Sequence, residues 1–357
     1  MADTKTKKLT CKEEALKAVK IDGCDLQYAS KELRADKEVV LEAVETTGHA
    51  LKYASRKLRG DKEVVLKAIE TTGHALAYAS EKLRGDKEVV LKSLDATLCY
   101  SPLGSRGFSH VSTLEYASEE LRADREVVLK AVKDDGDALE YASAELRADK
   151  EIVIKAVQHG GTALKFASDE LRADRKVVLE AVKTDGFALK YASEKLRGDR
   201  GVVLKAVENI DSALQYASDE LRADMEFMTK LVGKSERALK FATEELRNNR
   251  DIVLKAVKNN GFALEYASDE LRADREVVLK AVKKNVFALQ YASKELRADR
   301  ELVLMAVKKS GRVFMYASDR MRCDKEIVLT AIKTDRYAIR FASPKLQAEL
   351  KEESKRK

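Results

Sequence analysis

Twelve arginines stand in one register along the chain: Arg34, Arg59, Arg84, Arg122, Arg147, Arg172, Arg197, Arg222, Arg247, Arg272, Arg297 and Arg322. Guanidinium groups spaced so regularly could track phosphates or an acidic peptide by paired, charge-assisted hydrogen bonds. They could equally serve the fold, by bonding helix-end carbonyls or by pairing with the Asp two residues later or in the next copy. The thirteenth copy has Gln347 instead, and an element shared by nearly every copy is first expected to be structural. The ladder positions Arg34, Asp36, Arg59, Asp61, Arg122 and Asp124 are assigned to that structural frame.

The serines beside them (Ser30, Ser55, Ser80 and onward, with Thr243 the one change) have no accompanying base, so a row of nucleophiles is not expected. Small residues at a helix seam, with the hydroxyl bonded back to a carbonyl, are the expectation. His49 and His74 lie one copy apart, roughly 10 Å by helix-layer spacing, and cannot share one ion directly. There is no glycine-rich phosphate loop, nucleophile elbow or paired-carboxylate motif. No catalytic residue, metal site or cofactor is therefore assigned, and the chain is expected not to be an enzyme.

All these residues are positioned by one unit. Tyr-Ala-Ser followed by Leu-Arg-x-Asp recurs thirteen times, anchored on Tyr28, Tyr53, Tyr78, Tyr116, Tyr141, Phe166, Tyr191, Tyr216, Phe241, Tyr266, Tyr291, Tyr316 and Phe341. The step is 25 residues everywhere except from Tyr78 to Tyr116. A short fixed period marks one supersecondary unit stacked on itself. Within residues 48–72, Ala50, Leu51, Ala54 and Leu58 have helical spacing, and so do Val64, Val65, Leu66, Ala68 and Ile69. Two helices of about ten residues each are expected, too short to persist without stacked neighbours. Asp36, Asp61, Asp124 and their equivalents are expected N-caps of the second helix. The fold class is thus all-α: a right- or left-handed α-solenoid of two-helix repeats. It is expected to fill residues 10–350, between a basic disordered tail (1–9) and a charged tail (351–357), with a loop insertion near 98–110. Thr10 to Glu13 reads as a capping box opening the first helix.

The run Leu26–Leu41 resembles the helical repeats of domain of unknown function 4116, which occur in tandem arrays in bacterial and protist proteins. The resemblance extends over roughly residues 11–350 and implies a repeat array. It brings no activity, cofactor or binding residue with it.

Lys and Arg number 68 against 61 Asp and Glu, a surplus of +7 of which residues 1–12 and 351–357 carry +5. A chain built to grip nucleic acid would carry a larger basic excess. The N-terminal residues lack a secretory apolar run, and no stretch has the roughly 18 apolar residues of a membrane span, so a cytoplasmic or otherwise intracellular protein is expected. Four scattered cysteines fit a reducing compartment.

Specificity is expected where the copies differ. In eleven of the thirteen copies the fourth residue before the anchor reads His49, His74, Asp137, Thr162, Phe187, Ser212, Arg237, Phe262, Phe287, Arg312 and Tyr337. Such variety does not suit a shared core, so this position is expected to face solvent. Phe187, Arg237, Phe262, Phe287, Arg312 and Tyr337 are the candidate partner-binding residues, aromatic and arginine anchors on one ridge. Lys183, Lys258, Lys283, Lys308 and Lys333 give its C-terminal part a basic rim, while Glu45, Glu70 and Asp95 stand there nearer the N-terminus. A protein or peptide partner is the first expectation; the alternative is a nucleic acid or other polyanion along the Arg/Lys-lined face.

Overall fold

The computed structural model describes residues 8–97, 112–235 and 237–355. The insertion expected near 98–110 lies outside the described residues. The described residues form helices and turns throughout, with one parallel bridge pairing between Leu9 and Ala29. The chain is an all-α repeat array and divides into two compact units, residues 1–196 and 197–357.

The second half of each copy is the ten-residue α-helix the sequence predicts, as at Lys62–Thr71. Its start is set by Asp61, whose carboxylate accepts from the N–H groups of Glu63 at 3.0 Å and Val64 at 3.3 Å. A carboxylate there satisfies amides that the helix leaves open and offsets the positive end of its dipole. Val64, Val65, Ala68 and Ile69 are buried on the inner face. Leu66 is only half-buried, and its equivalent Leu329 is exposed, because that position falls at the edge of the buried stripe.

The first half differs from expectation. In place of a ten-residue helix, Gly48–Tyr53 forms a 3₁₀ turn, Ala54 is extended, and Leu58–Gly60 makes a second short turn. The reason is a competing hydrogen bond. The N–H of Ser55, which a continuing helix would direct inward, donates to the carbonyl of Arg34 in the preceding copy at 2.8 Å. The same bond recurs from Ser80 to Arg59, Ser143 to Arg122 and Ser293 to Arg272. It stitches copies together through the backbone, and the 3₁₀ turn ends where it begins.

The serine hydroxyl therefore acts otherwise than expected. Instead of bonding back to a carbonyl, Ser55 Oγ accepts a long bond from the N–H of Leu58 (3.4 Å), starting the short turn; Ser118 and Leu121 repeat it. The glycine opening the 3₁₀ turn has a steric cause. A Cβ on Gly48 would lie 2.3 Å from the carbonyl oxygen of Ala68 in the second helix of its own copy, and on Gly261 it would lie 2.4 Å from that of Ala281. Backbone approaches backbone there, leaving no room for a side chain.

At the ends, Leu9 is held by its N–H bonding to the Tyr28 carbonyl (2.9 Å) and its carbonyl accepting from Ser30 (2.8 Å), which corrects its placement in a disordered tail. The capping box does not form: Cys11, not Thr10, is the N-cap of Lys12–Ile21, without a side-chain cap bond. The last helix runs from Pro344 to Lys355, through most of the segment expected to be a tail.

Candidate functional site: a variable ridge beside the aromatic anchors

The ridge residues are set in place by the first joint of each copy. Asp185 accepts from the N–H of Phe187 at 2.8 Å, Asn260 from Phe262 at 3.0 Å, Asn285 from Phe287 at 3.0 Å and Asp335 from Tyr337 at 2.9 Å. Each cap fixes the backbone of the residue two positions on, so these side chains start from equivalent points. Phe187 belongs to the first compact unit; Arg237, Phe262, Phe287, Arg312 and Tyr337 belong to the second.

Arg237, Arg312 and Tyr337 are exposed, the last at 59% of its surface. Phe187, Phe262 and Phe287 are half-buried, so the position expected to face solvent does so only in part at these three. The ring of Phe262 stands edge-on to Tyr291, the anchor of the following copy, with centroids 6.2 Å apart and planes at 89°. His49 meets Tyr78 in the same register, at 6.2 Å and 63°. Edge-to-face contact of this kind adds about 0.5–1.5 kcal/mol beyond area burial. The position therefore both varies and packs on its neighbour. Lys183, Lys258, Lys283, Lys308 and Lys333 are exposed, as are Glu45, Glu70 and Asp95.

The anchors are all half-buried. A cation from the preceding residue covers several of them: Lys52 lies 4.9 Å from the Tyr53 centroid, Lys165 4.3 Å from Phe166 and Arg340 4.7 Å from Phe341. Within the second unit, Arg237 and Phe262 come together with Asn260, Glu265, Tyr266 and Tyr291 around a hollow of about 200 Å³. Two larger hollows, about 550 and 360 Å³, are lined mainly by charged residues of the frame.

The Arg ladder makes bonds to turn-end carbonyls, as one of the two expectations had it, but pairs with an acid other than the Asp expected. Arg172, Arg222 and Arg272 each pair with the acid three residues earlier, Asp169, Asp219 and Asp269. Arg322 Nη2 donates to the Met315 carbonyl at 2.9 Å, and the Nε atoms of Arg34, Arg59 and Arg122 are buried. The cation that reaches the next copy's capping Asp is instead the residue directly after Asp. Lys37 Nζ lies 2.8 Å from Asp61 and 2.7 Å from Glu63; Arg275 lies 2.9 Å from Asp299 and 2.7 Å from Glu301. The ammonium of Lys37 draws the Asp61 carboxyl below its ordinary value; burial opposes this, and the Val64 N–H adds to it. The signal was present in the sequence, since Lys37, Lys62, Lys87, Arg125 and Arg275 all follow the capping Asp. Its span of 24 residues joins positions that no single-copy pattern connects.

Among the described residues no group of His, Cys, Asp and Glu could hold a metal ion, and no helix is long and apolar enough to cross a membrane. The architecture is that of a tandem helical-repeat protein. Seven segments, 11–59, 61–96, 108–147, 149–197, 199–247, 249–297 and 299–347, match the domain of unknown function DUF4116, so the chain belongs to that family. A full match spans two of the 25-residue copies. No curated protein matches the chain.

Proposed function

We propose that the chain is a non-enzymatic scaffold that binds a protein or peptide partner along its variable ridge. The observation that carries this reading is the division of labour within each copy. Caps, glycine contacts and ion pairs hold a constant frame, while one position per copy, set by a capped turn at Phe187, Phe262, Phe287 and Tyr337, varies among His, Asp, Thr, Ser, Arg, Phe and Tyr along the chain. Aromatic and arginine side chains there are the types that anchor protein interfaces. The Arg ladder supports a protein partner over a polyanion, because Arg172, Arg222 and Arg272 already pair with carboxylates of their own copy.

The test is affinity capture of a partner from the native cell, repeated with Phe187, Phe262, Phe287 and Tyr337 all replaced by Ala. The replacement is expected to weaken capture by about tenfold or more, as loss of interface anchors does. Undiminished capture would remove the ridge as the interface. Tight binding of labelled RNA, falling steeply with salt, would establish the polyanion reading in its place.

A further inference from the structure

The hollow bounded by Phe262, Tyr266, Tyr291 and Glu265 differs from five of the other anchors in what lies beside its rings. At Tyr53, Phe166, Tyr191, Phe241 and Phe341 the preceding residue is a Lys or Arg lying over the ring, between 4.3 and 5.7 Å from its centroid. At these five anchors the ring face is thus a place where a cation rests, drawn by the negative face of the π-system. Before Tyr266 and Tyr291 the chain instead has Glu265 and Gln290, neither positively charged, and the Gln290 amide donates to the Phe287 carbonyl at 3.1 Å. Phe262 and Tyr291 stand at 89° to each other as two walls of a corner. The Glu265 carboxylate acts on both phenols: burial first, then Glu265, raises the Tyr266 and Tyr291 hydroxyls above their ordinary values. Arg237 stands on the rim with the opposite charge.

Resting on the scaffold reading above, we propose that this corner receives a lysine side chain of the partner, its ammonium against the rings and Glu265, with an acidic residue next to that lysine paired to Arg237. Aromatic faces joined to a carboxylate suit an alkylammonium, whose stem packs on the rings while its head meets the charge. At about 200 Å³ the hollow admits one side-chain head and little more. Arg237 excludes a purely basic segment by repulsion and favours a segment in which the two charges alternate.

The full chain is titrated by NMR with three short peptides: one carrying adjacent lysine and aspartate, one with norleucine for the lysine, and one with asparagine for the aspartate. Saturable shifts are expected at residues 262–291 with the first peptide. Norleucine, or the variant Glu265→Gln, is expected to weaken binding about five- to tenfold, as loss of a charge-assisted contact does. Asparagine in the peptide, or Arg237→Gln, is expected to weaken it about threefold, in keeping with an exposed pair. Glu265 is exposed, so its replacement leaves the core intact. Equal binding of the norleucine peptide, no saturable shift, or tighter binding on Arg237→Gln would each overturn the proposal; the last would mean that Arg237 itself fills the corner. A captured partner separates this failure from that of the scaffold reading. If Glu265→Gln retains the partner while the fourfold aromatic variant loses it, the lysine receptor fails and the ridge stands; if both retain it, both fail.

Discussion

Two joints within residues 197–357 solve the same problem differently. At the joint entering the helix Arg275–Lys284, Asp274 accepts from the N–H groups of Glu276 (2.8 Å) and Val277 (3.0 Å). It also takes the guanidinium of Arg250 at 3.1 Å, and Arg250 reaches Glu276 as well. One copy earlier, Asn249 stands in place of Asp and Met225 in place of the cation. Asn249 still caps, accepting from Asp251 at 3.1 Å and Ile252 at 3.2 Å, while Met225 is exposed. The helix that Met225 begins is seven residues rather than ten, ending at Leu231, and Phe227, Met228 and Leu231 fill its core. Both charges are replaced together and the cap is kept. The capping position therefore has two separable duties, and the fold depends on the first more than the second.

The largest effect should come from breaking the regular joint at its backbone contact. Gly261→Ala puts a Cβ against the Ala281 carbonyl, and is expected to cost about 2–3 kcal/mol, as overpacking does. Chemical denaturation measures it, with amide exchange locating the loss in residues 261–284. A cost below about 0.5 kcal/mol would mean that the backbones part without penalty.

Next comes the cap. Asp274→Ala and Asn249→Ala should each cost about 1 kcal/mol, whereas Asp274→Asn, which copies the irregular joint, should cost much less. If Asp274→Asn proved as damaging as Asp274→Ala, the ion pair and not the cap would dominate the regular joint.

Acid should separate the joints further. Burial pushes the Asp274 carboxyl up, but the Val277 N–H and the Arg250 guanidinium outweigh it, leaving it below its ordinary 3.8. A carboxyl lowered by folding stabilises the fold fully above its unfolded value and loses that contribution as pH falls through the folded one. Amide exchange at Val277, corrected for intrinsic rate, should therefore quicken below about pH 4, while Ile252, capped by a neutral amide, should not follow it. Parallel behaviour of the two would sink this assignment.

The smallest effect is expected from installing the missing charges. Met225→Arg with Asn249→Asp should couple by about 0.2–1 kcal/mol, weakened by salt, as exposed pairs do. A double-mutant cycle reads the coupling; a value of zero would make the cation row irrelevant to stability.

Much of the frame was legible in the sequence because its constraints are local and repeated. The capping role of Asp61 depends on amides two and three residues away, and the buried Val64, Val65 and Ala68 follow from helical spacing. The candidate ridge was legible only as a place of variation. That Phe262 leans on Tyr291, and that Glu265 joins them, depends on packing between copies.

By itself, then, the sequence determined the period, the helical class, the caps and the position where copies differ, since each is written within one 25-residue unit and copied. Tertiary structure alone decided that the first half of the unit breaks into a 3₁₀ turn and a second short turn, 3₁₀ or α, that Gly48 is required by the carbonyl of Ala68, and that Lys37 rather than Arg34 reaches Asp61. These are contacts between segments distant in sequence, the Lys37–Asp61 pair between neighbouring copies and the Gly48–Ala68 approach between the two ends of one copy. A backbone amide such as that of Ser55 has competing acceptors, one in its own copy and one in the copy before, and stacking selects between them.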